Sequence, residues 1–268
     1  EKELRIAPPD LLGVSNYSWN SRLGLTFIDI AKSINPQTVT VMGGPNIRLE
    51  PDDIKKFLQE NSFLDYYIPL EGEEPLAALV EALLKGEEKP APPGCATIIN
   101  NIFFYQSCEL KNNPKELDIP SPYLSGLLDS FLSNPKMIPL LETNRGCPFG
   151  CVYCVWGISA LSKVRYRDIN IVTDEIDYVS ERSNGQLSWI FCDANFGILP
   201  RDVDIAIRIR EKRDKNGVPV NVVTWSSKNT TYRNIEISKY LENNLQNNAF
   251  IALQSADPKV LELSGRGN

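Results

Sequence analysis

The chain has 268 residues, 42% of them apolar and 23% charged, with a formal net charge of −6 and no histidine. That length and apolar share suit one large or two ordinary domains, and the acidic balance argues against a nucleic-acid surface built from clustered Lys and Arg. Without histidine no mechanism can rest on an imidazole base, and without a long apolar run or leader neither a membrane span nor export is expected, so a cytoplasmic chain with reduced thiols is the reading.

Residues 1–87 alternate short β-branched runs with amphipathic stretches. "DLLGVS" (10–15), "TVTVM" (38–42) and "LDYYI" (64–68) read as buried strands. Between and after them Phe27, Ala31 and Ile34, then Ile54, Phe57 and Leu58, then Leu76, Leu79, Val80, Leu83 and Leu84 recur at helical spacing, with Gly86 as the stop. This rhythm predicts parallel βαβ units. Residues 88–136 lose it. "EEKPAPPGC" and "KNNPKELDIPSPY" are turn-forming and "ATIINNIFFY" suits a hairpin, so the stretch reads as a linker with a small hairpin.

A second βα array occupies 137–268. Its expected strands are "MIPLLET" (137–143), "LSWIFCD" (187–193), "VPVNVVTW" (218–225) and "AFIALQS" (249–255). Helices are expected around Ile176 and Val179, Ile205 and Ile209, and Ile237, Tyr240 and Leu241. In such α/β arrays ligands bind beyond the carboxyl ends of the strands, which directs attention to the strand-end segments.

The first of these in the second array is "CPFGCVYC" (147–154). A disulfide would leave an odd thiol and suits such close spacing poorly. Thiolates converging from one loop suit a metal centre, either zinc or iron-sulfur. Zinc would need a fourth ligand from Cys95, Cys108 or Cys192, none of which stands in a second C-x-x-C. Those three read as inert core thiols. An iron-sulfur cube held by Cys147, Cys151 and Cys154 alone would keep one iron open for chemistry.

The other strand-end segments of this array are "CDANFG" (192–197), "TWSSKN" (224–229) and "LQSAD" (253–257). They offer Asp193 and Asn195, either as ligand contacts or as an Asx turn capping the next helix, and Ser226, Lys228, Gln254 and Ser255, either as contacts or as solvated loop residues. In the first array "SNYSWN" (15–20), "MGGPN" (42–46) and "LEGEEP" (70–75) hold the corresponding places. They offer Ser15, Tyr17 and Trp19; Gly43, Gly44 and Pro45; and Glu71, Gly72 and Glu73. The paired glycines allow close backbone approach or an ordinary turn, and the acidic residues also favour a helix N-terminus.

C-x3-C-x2-C after a βα strand, with Tyr153 before the last cysteine, resembles the radical S-adenosylmethionine superfamily. Preceded by a flavodoxin-like domain and "IPSPYLSGLLD" (119–129), the chain is similar to that superfamily's cobalamin-binding branch. The resemblance implies an α/β fold: a partial flavodoxin-like (Rossmann-like) cobalamin-binding domain at 1–87, the linker, and a partial (β/α)6 radical SAM barrel at 137–268. It implies a 4Fe-4S cluster on Cys147, Cys151 and Cys154 whose open iron chelates S-adenosylmethionine. Tyr153 would then pack near the adenine, Asp193 and Asn195 would receive the methionine amino group, and Ser226, Lys228, Gln254 and Ser255 would meet the ribose and carboxylate. Ser15, Tyr17, Trp19, Gly43, Gly44, Pro45, Glu71, Gly72 and Glu73 would line the cobalamin slot.

The implied activity is methylation of an unactivated carbon through a 5′-deoxyadenosyl radical and methylcobalamin. A radical cyclase or rearrangement enzyme with the same cofactors, or a non-catalytic binding module, stands as the alternative. The implied partners are a small-molecule or peptide substrate and an external electron donor of flavodoxin or ferredoxin type. Two family strands before "DLLGVS", the axial-histidine motif and the later barrel strands have no counterpart, so the chain is expected to be an internal fragment.

Overall fold

The structure, a computed structural model, describes residues 1–46, 49–108, 115–157, 162–183, 188–227, 232–241 and 253–266. The chain divides into two compact units, Glu1–Leu110 and Lys111–Asn268.

The first unit runs α1 (Lys2–Ile6), β1 (Leu11–Ser15), α2 (Ser21–Ile34), β2 (Val39–Gly43), α3 (Pro51–Glu60), β3 (Tyr66–Ile68), α4 (Glu73–Leu84), β4 (Ala96–Ile99) and β5 (Ile102–Phe104). Its sheet has the order β1-β2-β3-β4-β5. The first three strands are parallel, as βαβ connections require, and the last two are antiparallel. Strand periodicity sends neighbouring side chains to opposite faces. Met42 and Tyr67 therefore meet Ile28 of α2 and Ile54 and Leu58 of α3, while Val41, Tyr66 and Ile68 meet Leu79 of α4. A sheet covered on both faces explains why its central strands read as continuous apolar runs.

The hairpin falls where the sequence predicts it, with Asn100 and Asn101 at φ 50° and 64° supplying the turn. It does not stand apart in a linker. Ala96 and Thr97 pair with Tyr67 and Tyr66, so the hairpin extends the first sheet and covers the edge that β3 would otherwise expose.

The second unit holds α5 (Asp129–Leu132), β6 (Leu140–Leu141), β7 (Asn144–Arg145), a 3-10 turn (Val155–Gly157), β8 (Arg165–Tyr166), α6 (Ile169–Arg182), β9 (Ser188–Phe191), α7 (Asp202–Asn216), β10 (Asn221–Val223), α8 (Tyr232–Leu241) and α9 (Pro258–Leu263). Parallel strands take the order β10-β9-β6, and β7 pairs with β8 as a short antiparallel ribbon. Leu141, Trp189, Phe191 and Val222 pack against Val172, Ile176, Ile205, Ile209, Ile237 and Leu241, which puts α6, α7 and α8 on one face of the sheet. Asp168 caps α6 by accepting from the Asn170 N–H at 2.7 Å. Gly217, at φ 76°, ends α7 in the left-handed conformation that glycine adopts without strain.

The predicted strand at 249–255 lies largely outside the described residues; Leu253–Ser255 are irregular. Among the described residues no helix is long and apolar enough to cross a membrane.

Candidate functional site

In the second unit the chain leaves β6, passes through the β7 ribbon and enters the cysteine loop. Cys147 and Cys151 are buried, at 2% and 1% exposure, and Cys154 is half-buried. A turn closes the loop, with the Cys154 N–H donating to the Cys151 carbonyl at 3.0 Å.

Asp193, at the end of β9, fixes the approach to this loop. Its Oδ1 accepts from the Thr143 and Asn144 backbone N–H groups at 2.7 and 3.2 Å, and its Oδ2 from Thr143 Oγ1 and Asn144 Nδ2 at 2.5 and 2.7 Å. Burial pushes its pKa up to about 7, against the pull of the Thr143 and Asn144 hydrogen bonds. Both carboxylate oxygens are thus engaged within the protein. Asp193 anchors the strand that delivers the cysteines; it forms no Asx cap on the next helix. The N-cap of α7 is Arg201, without a side-chain cap bond, and Asp202, the first residue of that helix, instead holds the preceding loop: its Oδ2 accepts from the Gly197 and Leu199 N–H groups at 2.8 and 3.0 Å.

Asn195 is wholly buried, and its Nδ2 donates to Cys147 Sγ at 3.2 Å. Its Oδ1 is buried without a hydrogen-bond partner among the described residues. The chain beside it is held across two strand ends: Phe196 N–H donates to the Trp225 carbonyl at 2.8 Å, and Ser227 N–H to the Phe196 carbonyl at 2.9 Å.

A second brace comes from 112 and 113 residues further along, where the sequence offers no motif. The Val152 N–H donates to the Ser264 carbonyl at 3.1 Å, and Arg266, only 5% exposed, donates from Nη1 to the Tyr153 hydroxyl at 3.3 Å. The local signal is thin: a glycine at φ 63°, Gly265, before an arginine. The bracing places a buried guanidinium next to the cysteine loop.

The remaining candidates are spread more widely. Tyr153 is 52% exposed. Ser226 forms a parallel bridge with Phe196, and Lys228 lies outside the described residues. Gln254 is exposed at φ 64°, and Ser255 Oγ accepts from the Asp257 N–H at 3.1 Å in the turn before α9. Cys95 is buried as expected, its thiol pushed up to about 12 by burial, but Cys108 and Cys192 are exposed and not core thiols. Cys192 follows inward-packed Phe191, so strand alternation turns it to the other face.

In the first unit parallel register brings three loops to one end of the sheet, since Ser15 pairs with Gly43 and Gly43 with Ile68. A Cβ on Gly43 would stand 2.8 Å from the Ile68 carbonyl oxygen, and one on Gly44, at φ 135°, would stand 2.6 Å from that of Asn16. The glycines therefore let neighbouring loops close on each other. Asn16, which the sequence does not single out, joins them: it is fully buried, its N–H donates to the Gly43 carbonyl at 2.7 Å, and its Oδ1 accepts from Asn46 Nδ2 at 3.1 Å. Ser15 Oγ accepts from Asn20 Nδ2 at 2.9 Å. Tyr17 and Trp19 stack with centroids 4.6 Å apart, and Trp19 is 79% exposed. Pro45 is exposed, Glu71 is half-buried, Gly72 is the N-cap of α4 and Glu73 its first residue.

Among the described residues no group of three or more His, Cys, Asp or Glu side chains is arranged to hold a single metal ion. A zinc site gathers its ligands on one centre, whereas a 4Fe-4S cube distributes its thiolates over separate irons.

Residues 141–268 match the radical SAM superfamily. The chain is 32% identical over 270 aligned positions to a 2-(S-pantetheinyl)-carbapenam-3-carboxylate methyltransferase of Streptantibioticus cattleyicolor, covering 98% of this chain and 39% of that protein. Identity and coverages are the same for the cobalamin-dependent radical SAM methyltransferase TokK of Streptomyces tokunonensis. The chain thus spans about two fifths of the length of these two relatives. In fold it resembles the radical S-adenosylmethionine methyltransferase TsrM of Kitasatospora setae, solved with tryptophan and a SAM analogue, at TM-score 0.71 and 15% identity over the whole chain and 54% of that protein.

Proposed function

The chain belongs to the cobalamin-binding branch of the radical S-adenosylmethionine superfamily, and we propose that it forms the cofactor-binding part of a methyltransferase acting on an unactivated carbon. On this reading the first unit is a partial flavodoxin-like cobalamin-binding domain and the second a partial (β/α)6 barrel. The observation that carries it is the loop of Cys147, Cys151 and Cys154, two of them buried, at the carboxyl end of a parallel strand and inside the family match.

When bound, the cluster would supply the electron that cleaves the sulfonium of S-adenosylmethionine, and cobalamin the methyl group. The chain's own residues bind and orient. Cys147, Cys151 and Cys154 would hold three irons, and Asp193 fixes the strand that presents them through Thr143 and Asn144. Asn195 Oδ1, buried without a partner among the described residues, is an acceptor suited to the methionine amino group. The buried cation of Arg266 beside the loop suits a carboxylate. Tyr153 would flank the adenine, and Ser226, Lys228, Gln254 and Ser255 would border the ribose and carboxylate. In the first unit the loops at 15–20, 42–46 and 70–75 would border cobalamin, with the Tyr17–Trp19 stack as its exposed aromatic element. A small-molecule or peptide substrate and a flavodoxin-like or ferredoxin-like electron donor complete the reaction.

The test uses the whole protein, reconstituted anaerobically with iron, sulfide and hydroxocobalamin and given S-adenosylmethionine and dithionite. Formation of both 5′-deoxyadenosine and S-adenosylhomocysteine is expected. 5′-Deoxyadenosine without S-adenosylhomocysteine would favour a radical cyclase, and neither product would leave a binding module.

A further inference from the structure

We infer that Asn195 is a positioning residue for Cys147 whose side-chain N–H raises the reduction potential of the centre that this thiolate ligates. The inference rests on the iron-sulfur reading above. It goes beyond contact with S-adenosylmethionine, because the partner is a ligand sulfur of the protein itself.

The geometry is closed. Asn195 is 0% and Cys147 2% exposed, and Nδ2 lies 3.2 Å from Sγ, within the range of an N–H···S bond. The amide orientation follows from its neighbours. Exchanging nitrogen and oxygen would face the carbonyl dipole to the sulfur lone pairs and leave an N–H2 group buried where Oδ1 now has no partner. Asn195 is also held in place: its carbonyl accepts from the Ile198 N–H at 3.2 Å, and the next residue, Phe196, is bonded to Trp225 and Ser227 on the neighbouring strand end. A donor fixed in a dry site acts more strongly than one that solvent can replace. Donation to a thiolate sulfur favours the more electron-rich state of its metal centre, and hydrogen bonds to the sulfurs are among the factors that set such potentials.

The experiment compares the whole protein with Asn195→Leu, which removes both amide heteroatoms, and Asn195→Asp, which keeps the shape and replaces the donor by an oxygen. Each is reconstituted, assayed for iron and sulfide, and titrated electrochemically with the reduced cluster followed by electron paramagnetic resonance. Both variants are expected to retain the wild-type iron content and to show a midpoint shifted to more negative potential, further for Asp than for Leu because Asp adds charge. An unchanged or more positive midpoint in both overturns the inference. So does loss of iron from both variants while the wild type retains it, since that makes Asn195 a structural residue. Should only Asn195→Leu lose iron, Asn195→Asp decides. A wild type without iron defeats the iron-sulfur reading itself and the inference with it.

Discussion

Two buried carboxylates, Asp193 and Asp202, organise the site from behind. Neither has a cation as its main partner; Asp193 accepts N–H and O–H donors on its two oxygens and Asp202 two backbone N–H donors on one, and burial raises both, Asp193 to about 7 and Asp202 to about 6. The folded state therefore holds these protons more tightly than the unfolded chain, where Asp titrates near ~3.9. Their contribution to stability declines as pH rises from about 4 through about 6 to 7, then levels off. Asp202→Asn keeps an oxygen for the Gly197 and Leu199 N–H groups and removes one titration. In urea unfolding, the variant should gain on the wild type between pH 5 and pH 8, whereas parallel pH profiles for the two would contradict the assignment. Sequence reading noticed Asp193 only as a turn former or ligand contact. Its partners Thr143 and Asn144 lie about 50 residues away, and no local pattern encodes a bond of that span.

Among the elements, those whose signal is periodic were legible. Apolar recurrence located α2, α3, α4, α6, α7 and α8, and β-branched runs located β1, β2, β3, β9 and β10, because burial of one stripe or face imposes those periods. The hairpin was also legible as a hairpin. Its partner was not, since alternation fixes which face is buried and leaves open which edge a strand joins. The segment Ser264–Arg266 escaped altogether: its worth lies in hydrogen bonds to a loop more than a hundred residues earlier.

The glycine pair illustrates the same limit. Its sequence signal said only that backbone approaches something closely, and the structure shows that the approach is to Asn16 and Ile68. Gly44→Ala would require an L-residue at φ 135° with Cβ 2.6 Å from the Asn16 carbonyl oxygen. The expected cost is roughly 2–3 kcal/mol, read as a lower urea midpoint. An unchanged midpoint would mean that the loops at this end of the first sheet do not depend on their tight contact.

At the scale of the molecule, two compact units each carry a cluster of loops at the carboxyl ends of parallel strands, and the two proposed cofactors are assigned to different units. This separation gives the most direct test. Iron, sulfide and cobalamin are to be measured in the whole protein after anaerobic reconstitution, with Cys151→Ala beside it. The account predicts a four-iron complement and bound cobalamin in the wild type, and loss of iron with retention of cobalamin in Cys151→Ala. Equal iron in the two proteins would contradict it.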